Sequence, residues 1–100
     1  MKELENSIWD ITRNNGTKME VTLLKGGYFE YVNLEGQNVT LGTIYGGIDK
    51  GMTWNLNGKI ITLEFNNAFL VQTGELNSNF DSMKGTFENK QGLKGDWSGK

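Results

Sequence analysis

Along most of this chain the apolar side chains recur at every second position. Trp9-Asp10-Ile11, Met19-Glu20-Val21-Thr22-Leu23, Met52-Thr53-Trp54-Asn55-Leu56, Ile61-Thr62-Leu63-Glu64-Phe65, Met83-Lys84-Gly85-Thr86-Phe87 and Leu93-Lys94-Gly95-Asp96-Trp97 all share this period. No stretch holds the i, i+3, i+4 spacing of an amphipathic helix long enough to compete. A period of two places alternate side chains on opposite faces of a strand, one face buried and one wet. Turn signals separate the runs: Asn14-Asn15-Gly16, Gly26-Gly27, Glu35-Gly36, Asn57-Gly58, Asn66-Asn67 and Gln91-Gly92. Short strands joined by short turns predict an all-β, antiparallel, up-and-down meander.

Turn length fixes which residues oppose one another, so register can be read as well. A three-residue loop at Asn14-Asn15-Gly16 sets Ile11 against Met19 and Trp9 against Val21. A two-residue Asn57-Gly58 turn sets Trp54 against Ile61 and Met52 against Leu63. A turn at Gly26-Gly27 sets Leu23 against Glu30 and Val21 against Val32, which points the Glu30 carboxylate inward and Phe29 and Tyr31 outward. Two segments echo each other, since Gly42 stands twelve positions before Trp54 and Gly85 twelve before Trp97. Equal hairpins would then lay each indole over bare glycine backbone on the partner strand. Around Gly42 the inner-face assignments conflict, and a bulge there would reconcile them.

The chain of 100 residues makes a single domain, 1–100, with no length for covering helices. A flat sheet would expose its Trp, Phe and Leu face, whereas curling it into a small barrel of about eight strands buries that face and removes the edges. Nine strand candidates are present, so one is a loop or an extension of a neighbour, or the barrel is incompletely closed. The inner wall, from Trp9 and Ile11 through Val32, Trp54 and Phe65 to Leu93 and Trp97, either fills the barrel or leaves space for one small ligand.

Composition removes several chemistries. The chain has no Cys and no His, and its net charge is −2. Disulfides, thiolate metal sites and the commonest general base are excluded, and a polyanion-tracking or polybasic membrane surface is disfavoured. Asp49, Asp81 and Asp96 lie near turns but in no calcium-loop pattern, so no metal, cofactor or catalytic residue is expected. The polar start Met1–Asn6 carries no apolar leader, which points to a cytoplasmic protein, with export after leader removal left open.

A Trp in the first strand, a meander of short strands and a closing Gly85-Thr86-Phe87 … Gly95-Asp96-Trp97 hairpin resemble the lipocalin and avidin group of small calycin-type barrels. The first strand reads Ser7-Ile8-Trp9 where lipocalins carry Gly-x-Trp, so the Gly is missing. The resemblance implies a non-enzymatic barrel that holds a small molecule at its mouth, and a basic residue (Lys100 or Arg13) packed on the first-strand Trp. The residues expected to bind are Tyr28, Glu30, Tyr45, Lys50 and Trp54, gathered at the lower end beside the glycine-flanked loop from Gly46 to Gly51. Arg13, Gln37, Lys59 and the loop from Asn77 to Ser82 belong to the opposite mouth, which the resemblance would make the open one, since in lipocalins the first-strand Trp marks the closed end; the tight turn after Arg13 favours the lower end instead. The competing expectation is a protein-binding module or homodimer that uses outward Phe29, Tyr31 and Phe69.

Overall fold

The computed structural model describes residues 4–37, 39–48 and 50–100, so Asp49 lies outside the described residues. The strands are β1 (Ser7–Arg13), β2 (Lys18–Leu24), β3 (Tyr28–Glu35), β4 (Ile44–Gly46), β5 (Thr53–Asn57), β6 (Ile60–Phe65), β7 (Leu70–Leu76), β8 (Met83–Asn89) and β9 (Lys94–Gly99). All named strand pairs are antiparallel, in the order β2-β1-β9-β8-β7-β6-β5-β3-β4, and a β2–β3 pairing closes the ring. Eight strands therefore form the barrel. The three-residue β4 lies outside the ring, paired to β3 at Glu30–Val32. No helix among the described residues is long and apolar enough to cross a membrane.

Outside β3 and Leu93 the alternating faces appear as read. Trp9, Ile11, Met19, Val21, Leu23, Ile61, Leu63, Phe65, Phe87 and Trp97 are all buried in one core. Leu4 joins it at the end where β1 begins, where Trp9 Nε1 donates to Ser7 Oγ at 2.8 Å and Ser7 Oγ donates to the Leu4 carbonyl. The β1–β2 hairpin has the expected register, Ile11↔Met19 and Trp9↔Val21. The closing glycine–indole pair, Gly85↔Trp97, is also present. The indole rests over Gly74, where a Cβ would stand 2.6 Å from its Cζ2, and its N–H donates to the Thr86 carbonyl at 3.0 Å.

Three registers differ from expectation, each for a local reason. The β5–β6 turn is Gly58-Lys59, because Asn57 already pairs with Ile60; Gly58, at φ 64, takes the left-handed position. The slip is by two residues, so Trp54 meets Leu63 and the buried face is kept. The β2–β3 turn is three residues long, Lys25-Gly26-Gly27, both glycines having positive φ. That extra residue inverts β3: Leu23 opposes Phe29, Val21 opposes Tyr31, and Glu30 faces outward beside Thr22. Phe29 is fully buried, Tyr31 packs on the core, and Val32 moves to the outer face. Finally, the bulge falls at Leu34 rather than Gly42, since Lys18 pairs with Glu35 while Met19 pairs with Asn33. Trp54 pairs with β6 and not with Gly42, so only one of the two echoes is structural. Leu93, expected inside, is exposed in the β8–β9 turn.

Candidate functional site

The inner parity of β1 runs through Ser7, Trp9 and Ile11 and ends on Arg13. The strand stops there because Gly16, at φ 92, closes a three-residue loop: Gly16 N donates to the Arg13 carbonyl at 3.0 Å, and Arg13 N donates to the Thr17 carbonyl at 2.9 Å. The Asn15 side chain secures the turn by accepting from Thr17 N at 3.0 Å. A cation is thus carried into the upper end of the barrel by the same alternation that builds the core.

Aromatic rings receive it. The Arg13 guanidinium carbon lies 5.1 Å from the centre of the Phe65 ring and 5.2 Å from that of Phe87. Gly95 makes the Phe87 position available, because a Cβ there would come within 2.6 Å of Phe87 Cζ. Phe65 in turn meets Phe29 edge-on at 4.9 Å and Tyr31 at 5.3 Å, and Tyr31 lies 5.4 Å from Tyr45. Burial lowers the Arg13 guanidinium from its ordinary value to about 10, with Tyr31 opposing the shift. Burial likewise raises the Tyr31 phenol, against the pull of Arg13.

Arg13 Nε donates to Gln72 Oε1 at 2.6 Å. Gln72 has no solvent exposure, and its Nε2 has no hydrogen-bond partner among the described residues. No carboxylate among the described residues pairs with Arg13; the ion pairs there are Lys18–Glu35 and Lys94–Glu88, both on the surface. Two cation–π contacts offset about 0.5–2 kcal/mol each, and one charge-assisted hydrogen bond about 1.5–3 kcal/mol. Desolvating an unpaired cation costs several kcal/mol, and an orphaned amide donor about 1–3 kcal/mol more. The cluster is therefore rich in donors and poor in acceptors.

The five residues expected to bind do not converge. Glu30 lines a dimple of about 70 Å³ on the outer wall with Glu20, Thr22, Val32 and Ile44, which has room for water rather than a ligand body. Tyr28 shares that outer parity on β3 and lies against Gly26. Lys50 is exposed. Trp54 packs on the core, and its indole N–H donates to the Leu24 carbonyl at 2.9 Å. Of the five, Tyr45 reaches the aromatic group of the upper cluster, through Tyr31. Arg13 stacks on Phe65 and Phe87, at the mouth opposite the one expected to bind.

Sequence reasoning missed Gln72 because Leu70, Val71 and Leu76 give β7 no clean alternation; its partner on β6, Leu63, settles the parity. A second concavity of about 660 Å³ runs over β7, β8, β9 and β1, and Arg13 borders it together with Thr12, Glu75, Lys84, Asp96 and Trp97. No family model matches the chain, and no curated protein or solved structure matches it either.

Proposed function

We propose that the protein is a non-enzymatic barrel that binds a small molecule at its upper mouth, with the half-buried Arg13, Tyr31 and Tyr45 as the receiving surface and the buried rings of Phe65 and Phe87 beneath it. The observation that carries this reading is the partly buried Arg13 with aromatic walls and no acidic partner among the described residues. A group that serves only as core filler would be apolar, since a charge costs more to enclose than a methylene. The closed barrel and the lipocalin-like ordering of its first and last strands favour enclosure over surface contact. Native mass spectrometry on protein isolated gently from its own cells tests this. The expected result is the chain with a retained small mass; a bare chain in every preparation would contradict it.

A second reading has its own observation. Leu41, Ile44 and Leu34 are more than half exposed beside β4, which among the described residues pairs only with β3. An open strand edge flanked by apolar side chains suits a protein partner or a second copy of the chain. Sedimentation at low micromolar concentration separates the two readings. A concentration-independent monomer favours the small-molecule reading, and reversible dimers favour the edge.

A further inference from the structure

The geometry points to an organic carboxylate as the ligand class, its head group held by the free guanidinium nitrogens of Arg13 and its apolar body laid against the half-buried rings of Tyr31 and Tyr45. This inference rests on the enclosure reading above and adds the sign and chemistry of the ligand.

Two independent observations support it. Arg13 commits Nε to Gln72, which leaves its two Nη groups without a hydrogen-bond partner among the described residues. The Nη edge presents parallel N–H groups in the geometry that a carboxylate accepts bidentately. Separately, Gln72 is wholly enclosed, and its Nε2 donors have no acceptor. The orphaned donor is Gln72 Nε2, while the Arg13 Nη groups reach solvent; a donor-rich or cationic ligand would add to the surplus of donors, and an anion at the Nη edge would balance the charge. Phe65 and Phe87 exclude water from the guanidinium faces, which strengthens any charge pairing made at its edge. Tyr31, packed among the same rings, carries a phenol that is protonated at neutral pH and adds a further donor to the cluster. Gln72 acts as a positioning residue: its Oε1 fixes the plane of the guanidinium.

The test uses three probes of one shape, 4-phenylbutyrate, 4-phenylbutanol and 4-phenylbutylamine, titrated into the intact protein. Heat of binding and the side-chain signals of Arg13 Nε–H and Gln72 NH₂ in ¹⁵N spectra are read together. The acid is expected to bind, shift both signals and exceed the alcohol at least tenfold, with no binding by the amine. Arg13→Lys should keep part of the preference for the acid, and Arg13→Met should abolish it while the fold, checked by the same spectra, persists. Gln72→Glu should weaken the acid by neutralising the cation. If alcohol and acid bind equally and shift the core signals, enclosure stands and the carboxylate inference fails. If the amine binds best, the inference is likewise overturned. If no probe shifts any inward-facing signal, both fall together.

Discussion

At Arg13 the alternation that builds the core also works against stability, and that tension is measurable. A partly buried cation without an acid is replaced to advantage by apolar volume, provided that its buried polar neighbour goes as well. Arg13→Met with Gln72→Leu should stabilise the ligand-free protein by about 1–3 kcal/mol in urea melts while removing carboxylate binding. Its pH dependence follows in sign. The folded guanidinium titrates near 10, below its ordinary value, so in that alkaline window the unfolded chain holds more protons. The penalty from Arg13 is therefore full below pH 10 and fades above it. Tyr31, raised by burial, contributes the opposite slope in the same range. The stability difference between Arg13→Met and the parent cancels most of the Tyr31 contribution and should narrow above pH 10. With no His in the chain, binding of a carboxylate should be flat from about pH 6 to 9 and fall beyond it.

Among the elements, glycines carry two different burdens, and substitution tells them apart. A Cβ at Gly85 would overlap the Thr73 carbonyl and the backbone of Gly74, whereas one at Gly92 meets nothing within 4 Å and suffers only from φ 89. Gly85→Ala should cost about 3 kcal/mol or more and Gly92→Ala about 1 kcal/mol, read from thermal melts. Strand existence and most of the inner wall were legible in the sequence, because period two is the physics of a half-buried strand. Parity across a turn was legible only where turn length was unambiguous. Asn14-Asn15-Gly16 tolerates one reading, since a two-residue loop would oppose Ile11 to Glu20. Lys25-Gly26-Gly27 tolerates two, and β3 offers apolar residues on either parity: Phe29 and Tyr31, or Tyr28 and Val32. Burial of two large aromatics outweighs burial of one Tyr and one Val, and the carboxylate of Glu30 stays wet. A single residue in one turn thus moved the expected site to the outer wall.

For the whole molecule, closure through β2–β3 and β1–β9 leaves one short strand, β4, outside the ring, and the inner parity of β1 brings Arg13 to one end of it. The candidate site was not legible because it is assembled from distant strands: Arg13 from β1, Gln72 from β7, Phe65 from β6 and Phe87 from β8. No local motif joins them, and only the order of the barrel brings them together. Glu30 supplies the internal control, being a charge on the outer surface of the same wall. Equilibrium titration of 4-phenylbutyrate into the parent, Glu30→Gln and Arg13→Met proteins, each first shown to be folded, addresses the central claim most directly. The account predicts equal affinity and stability, within about 0.5 kcal/mol, for Glu30→Gln and the parent, and at least a tenfold loss of affinity for Arg13→Met. Retained affinity in Arg13→Met, with loss in Glu30→Gln, would contradict it.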